Sequence, residues 1–191
     1  MIAEMLQRLW GKPPVDIVEP CGVWFSRLDM AKPFDVDRVR ATLTHPLIYP
    51  HISDDGSPEQ EDFQPTEHPA IWYMAAWDQE TYLGLFMFCP SNSVTWEVHT
   101  CLLPRAWGKS VEIAKSMAQY MFANTDCRRI ITSVPAQNRL ALRLAERVGF
   151  TRYGVNERSW LKDGQLQDQI VLGLSKPTEE GPCQQRSQSQ P

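Results

Sequence analysis

The stretch Val94-Thr-Trp-Glu97-Val-His99-Thr-Cys101-Leu102-Leu103-Pro104-Arg105-Ala106-Trp107-Gly108-Lys109-Ser110 changes its hydrophobic period partway along. Up to Leu103 it reads as a strand, and Pro104 closes it. From Gly108 onward Ile113, Ala114, Met117, Tyr120 and Met121 recur at the period of a helix that ends near Asn124. Small residues at such a junction let backbone N–H groups turn toward a ligand, and the helix N-terminus behind them favours negative charge. That is the physics of a pyrophosphate cradle; an ordinary tight turn that needs Gly108 is the competing reading. Gly108-Lys109-Ser110 is not the tail of a Walker A motif, which needs a glycine where Leu103 stands.

Working outward, Arg129–Val134 reads as a short buried strand. A second helix follows over about Asn138–Val148, with Leu140, Leu144 and Val148 on one face and Gly149 as its stop. Upstream, Ala70–Ala76 and Thr81–Phe88 form a hairpin about the polar residues Trp77–Glu80. Val23-Trp24-Phe25 reads as a first strand, and Asp35 as the cap of a helix that ends at His45-Pro46. The stretch Pro46–Pro69 is acidic, rich in proline and without period, so it is expected to be a long loop. Downstream, strands near Thr151–Trp160 and Gln167–Leu174 meet at the turn Lys162-Asp163-Gly164. This order predicts an α/β fold with a mixed, mostly antiparallel sheet flanked by helices. It spans residues 21–176. Residues 1–20 supply an amphipathic helix (Met1–Trp10) and a proline-rich connector, and 177–191 a polar low-complexity tail.

Composition narrows the function classes. The 191 residues carry 19 Lys+Arg against 23 Asp+Glu, a formal net charge of −4, which disfavours a nucleic-acid-binding role that needs a basic stripe. No apolar run approaches the roughly 20 residues that span a bilayer, and the N-terminus lacks the basic region of a signal peptide, so the expectation is a cytoplasmic protein without a membrane partner. Five widely spaced cysteines with no C-x-x-C pair suggest reduced thiols and no metal.

Arg105-x-x-Gly108-x-Ser110 resembles the pyrophosphate loop of the GNAT superfamily of acetyl-CoA-dependent N-acetyltransferases. The run Asn138-Arg-Leu-Ala141…Gly149-Phe150 resembles its N-x-x-A…G-F signature. Phe150-Thr-Arg-Tyr-Gly154, Asp163-Gly164 and Asp168 are similar to the branch that acetylates protein N-termini. Glu97-Val-His99-Thr-Cys-Leu-Leu-Pro resembles GNAT-type proteins of bacteriophages, for which the host cytoplasm or the virion is the expected location.

The resemblance implies a GNAT-like fold in which acetyl-CoA lies in a V-shaped opening between the strands Val94–Leu103 and Arg129–Val134. Backbone groups of Cys101, Leu102 and Leu103 would pair with the pantetheine arm. Arg105, Ala106, Trp107, Gly108, Lys109 and Ser110 would hold the pyrophosphate. Asn138 would contact the cofactor near its thiol or hold the second helix in place. An amine must lose a proton before it attacks a thioester, so a base is required. Glu97 and His99, two apart on one strand and therefore on one face, are the candidates, Glu97 through water. A structural acid and a satisfied core histidine are the competing readings. The acceptor is an amine, on a protein N-terminus, a lysine or a small molecule, chosen by the Pro46–Pro69 loop and the last hairpin.

Three positions depart from the pattern. Ser110 stands for the loop's last small residue and Ala106 for an early glycine. Ala145 stands where many GNAT enzymes carry a tyrosine acid, with Tyr153 as a stand-in. The missing tyrosine, the Trp-rich sequence, and the N-terminal helix and tail as surfaces for homo- or hetero-oligomers support the other reading: an inactive GNAT-fold structural or interaction protein, such as a phage particle component.

Overall fold

The computed structural model describes residues 17–18 and 22–177. The expected helix over Met1–Trp10, Cys21, Cys183 and the tail beyond Pro177 lie outside the described residues. Eight strands form one sheet: β1 (Ile17–Val18), β2 (Val23–Arg27), β3 (Trp72–Asp78), β4 (Thr81–Pro90), β5 (Thr95–Leu102), β6 (Arg129–Pro135), β7 (Thr151–Lys162) and β8 (Gln165–Ser175). Their order is β1-β2-β3-β4-β5-β6-β8-β7. Among the described residues only β5 and β6 run parallel, and the helix-containing crossover between them is what a parallel pair demands. The helices are α1 (Pro33–Leu43), the short α2 (Tyr49–Ile52), α3 (Ser110–Asn124) and α4 (Arg139–Val148). This is the expected mixed, mostly antiparallel α/β architecture.

Both faces of the central sheet are covered, which explains the nearly unbroken apolar run of β3. Trp72, Met74 and Ala76 face α3 and α4, where they meet Phe86, Trp96, Ile113 and Met121. Tyr73 and Ala75 face α1 and α2, with Val39, Leu43, Ile48 and Leu85. In β5 the same alternation sends Trp96, Val98 and Leu102 to the first core and Cys101 to the second.

Four local expectations are corrected. Asp35 does not cap α1. Pro33 opens the helix behind Lys32, and the Asp35 carboxylate inside the first turn accepts the Asp29 N–H at 3.0 Å and pairs with Arg38 at 3.4 Å. The first strand runs on to Arg27 and pairs with Ile17–Val18. The Pro46–Pro69 stretch is not all loop, since it holds α2. On α4 the buried residues are Leu142, Ala145 and Val148, with Leu144 half-buried and Leu140 74% exposed. Leu140 lies about 140° round the helix from Ala145, so a leucine every fourth residue drifts off the buried face. The stop at Gly149 is as expected: φ is +116°, and its N–H reaches the carbonyls of Ala145 and Glu146.

Candidate active site

Hydrogen bonding between β5 and β6 covers only Thr95–Glu97 against Arg129–Ile131. Beyond that point β6 continues on β8 as far as Pro135, and β5 continues on β4 as far as Leu102. The two parallel strands therefore part, and a cavity of about 620 Å³ opens where they diverge. The Leu103 N–H reaches the Leu83 carbonyl on β4, while the Val94 carbonyl accepts from Arg128 and Arg129 beside β6. Strand alternation then aims the backbone groups of Val98, Thr100 and Leu102, not those of Cys101 and Leu103, into the opening.

Glu97 and His99 line the cavity from β5 on the face that carries α2. Burial lowers the His99 pKa from its ordinary 6.5, against an opposing pull from the Glu97 carboxylate. The imidazole is therefore neutral at neutral pH and able to accept a proton. His51 from α2 and Trp160 from β7 line the same cavity, and neither carried a sequence signal: His51 sits in the aperiodic stretch, Trp160 at a strand end.

At the far end of β5, Pro104–Lys109 forms a 3-10 turn that feeds α3. No side chain caps α3, so its first-turn amides have no competing side-chain acceptor. Arg105 and Gly108 are exposed, and a Cβ added at Gly108 would meet nothing within 4 Å. Ala106 is 1% exposed in the core and its N–H already reaches the Leu103 carbonyl at 2.8 Å. The Trp107 indole N–H donates to the Leu102 carbonyl at 3.0 Å while half of the residue stays exposed at the cavity mouth. Lys109 leans away to Asp78 at 2.9 Å, and the Ser110 hydroxyl donates to the Trp107 carbonyl at 3.1 Å. Asn138 lines the cavity and caps α4, its Oδ1 accepting the Ala141 N–H at 3.1 Å. Ala145 lines the cavity as well, whereas Tyr153 stacks beside Arg129, 4.8 Å from the ring centre, and does not line it.

A family model described as an acetyltransferase (GNAT) domain matches residues 30–151. The chain belongs to the GNAT acetyltransferase family. The general chemistry of that family is acetyl transfer. The structure of Mycobacterium smegmatis RimJ in complex with CoA-disulfide matches this GNAT chain with a TM-score of 0.66 at 14% identity, covering 87% of this chain and 89% of that one. The ribosomal-protein-S5-alanine acetyltransferase from Vibrio fischeri matches with a TM-score of 0.65 at 15% identity, over 86% of this chain and 100% of that one. A mutant of the Vibrio cholerae spermidine N-acetyltransferase SpeG matches with a TM-score of 0.52 at 20% identity, over 57% and 68%. At such identities the likeness speaks for the fold alone. A search of curated protein sequences finds no match.

Among the described residues no helix is long and apolar enough to cross a membrane, and no three of His, Cys, Asp and Glu are grouped to hold a metal ion. The described cysteines Cys89, Cys101 and Cys127 are free thiols. Burial pushes the thiols of Cys101 and Cys127 up to about 12 and about 11.

Proposed function

We propose that this protein transfers the acetyl group of acetyl-CoA to an amine. The observation that carries the reading is the divergence of β5 from β6 directly after Glu97 and Ile131, which opens a cavity lined by Glu97, His99 and Asn138. The thioester arm would enter between the strands, against the backbone of Val98–Leu102. Trp107 would yield the Leu102 carbonyl or stay as a wall. The exposed edge of Arg105–Ser110 would meet the pyrophosphate, with Arg105 adding charge and Gly108 leaving room for a phosphate to approach. Ala106 would contribute its fit in the core, not a contact. Asn138 would act chiefly through the α4 cap.

The acceptor amine enters on the Glu97 and His99 side. His99, whose partial burial lowers its pKa, takes the ammonium proton, directly or through a water held with Glu97. The amine nitrogen then attacks the thioester carbonyl, the C–S bond breaks, coenzyme A departs as a thiolate, and the nitrogen's remaining surplus proton leaves through the water held with Glu97 to give the neutral amide. A thiolate is a good enough leaving group to go without a dedicated acid, which suits Ala145 at the position where a tyrosine would stand.

The test is thermal unfolding with and without acetyl-CoA, followed by thiol release with three amines: an alanine-initiated peptide, Nα-acetyl-lysine amide and 2-phenylethylamine. Acetyl-CoA at 100 times its Kd stabilises by about 2.7 kcal/mol. Release with one amine, lost in His99→Ala and reduced in Glu97→Gln, is the expected result. A flat melting response overturns the reading and leaves the inactive GNAT-fold protein standing.

A further inference from the structure

Two segments 108 and 109 residues apart in sequence are joined beside this cavity. The turn between β7 and β8 holds Asp163 and Gly164 at φ of +54° and +71°, and both amides are bound by a single carboxylate. One Asp55 oxygen accepts the Asp163 N–H at 2.8 Å and the other the Gly164 N–H at 2.7 Å. The Asp55 N–H donates to the Leu161 carbonyl at 3.0 Å. Lys162 Nζ donates to the carbonyl and hydroxyl of Ser53 at 3.0 and 3.4 Å.

The flanking residues give this contact its meaning. Ile52, next to Ser53, and Trp160, next to Leu161, both line the cavity, one from each segment. The first segment is held both by its own contacts and by the second core, in which Ile48 is buried and on which Ile52 and Phe63 pack. The Tyr49 hydroxyl donates to the Pro58 carbonyl, Gln60 donates to the Thr44 carbonyl at 2.7 Å, and the Tyr73 hydroxyl to the Thr66 carbonyl at 3.1 Å. Tyr49 also packs on Phe63 with ring centres 5.8 Å apart. A preformed strap therefore meets a long, exposed hairpin, and the contact between them spaces the walls that carry Ile52 and Trp160.

We propose that Asp55 and Lys162 are positioning residues, which set the width of the acceptor side of the cleft by clamping the strap to the hairpin tip. This inference rests on the acetyl-transfer reading above. Neither residue touches a reacting atom. Their effect is to keep Ile52 and Trp160 at a fixed separation across from Glu97 and His99, so that an amine is held in reach of the base and water is kept off.

The experiment uses the full chain grown with 5-fluorotryptophan, with Trp160 assigned among the seven tryptophans by Trp160→Phe. In Asp55→Ala and Lys162→Met the Trp160 fluorine resonance moves toward that of a solvated indole, while the resonances of buried Trp72 and Trp96 stay in place. Asp55→Asn, which keeps one acceptor oxygen, restores part of the shift. With the most reactive amine of the three above, Asp55→Ala raises the KM for the amine by about fivefold or more and leaves the KM for acetyl-CoA within about twofold. A Trp160 resonance identical in wild type, Asp55→Ala and Lys162→Met overturns the inference, as does an equal change in both KM values. Should wild type fail to bind acetyl-CoA, the transfer reading falls, and the Trp160 resonance still decides whether the clamp spaces the two walls.

Discussion

Replacing Gly84 with alanine puts a methyl group into the backbone of the neighbouring strand. A Cβ there would lie 2.5 Å from the Cys101 carbonyl oxygen, 2.7 Å from the Leu102 Cα and 2.9 Å from the Leu103 nitrogen. All three are main-chain atoms and cannot swing aside, so β4 and β5 must part by up to about 1 Å to restore van der Waals contact. Gly84 also sits at φ +125°, a region in which a side chain costs about 1–3 kcal/mol. Overpacking adds about 1–3 kcal/mol. The middle of that combined range, about 4 kcal/mol, lowers the Tm of a domain this size by about 8–16 °C, read by calorimetry. The displaced atoms end one residue before the Pro104–Lys109 turn, so acetyl-CoA affinity falls in the same variant. Gly108→Ala is the internal control. Gly108 has no positive φ and open space around its Cα, so its stability changes by less than about 1 kcal/mol while acetyl-CoA binding still weakens. A Gly84→Ala protein melting within about 2 °C of wild type, or no lower than Gly108→Ala, would refute the reasoning.

Three further outcomes are expected. Because burial lowers the His99 pKa, the unfolded chain binds that proton more readily than the folded one. Stability therefore falls as pH drops from about 6.5 through the folded pKa, and urea titrations show this dependence vanishing in His99→Gln. Thiol release stays active to lower pH than an ordinary histidine would allow, and a rate that fails with a midpoint at or above 6.5 argues against His99 as the base. Asn138→Ala loses the α4 cap and about 1 kcal/mol, whereas Asn138→Ser, measured by thermal melting, keeps most of it; acetyl-CoA affinity that follows the cap, not the amide, marks a helix-holding role. Cys101 and Cys127, buried and held as thiols, resist maleimide at neutral pH until the protein unfolds, and rapid native labelling followed by mass spectrometry would contradict the packing described.

Much of the fold was legible because its signals are local. The period change between Leu103 and Ser110, the stop at Gly149 and the turn at Asp163-Gly164 each follow from residues within one or two turns of chain. The pairing of Glu97 with His99 on one face follows from strand alternation alone, and the family signature lies in contiguous sequence. The misreadings came where a neighbour decided. Asp35 looked like a cap, but Pro33 starts the helix earlier and the Asp29 amide claims its carboxylate. Leu140 looked buried, but α4 rests on its Leu142–Ala145–Val148 side and leaves Leu140 exposed at the cavity mouth.

What the sequence by itself determined is the order of the main elements (short β1 and α2 apart), the α/β class and the family, since hydrophobic period, turn residues and motif spacing are properties of consecutive residues. Where β5 leaves β6, which backbone groups that exposes, that Trp107 sits on the Leu102 carbonyl and that Asp55 grips the tip of a hairpin 108 residues away belong to the tertiary structure. Each of these depends on the register and packing of segments that meet only after folding, and no local pattern encodes which distant amide a given carboxylate will find.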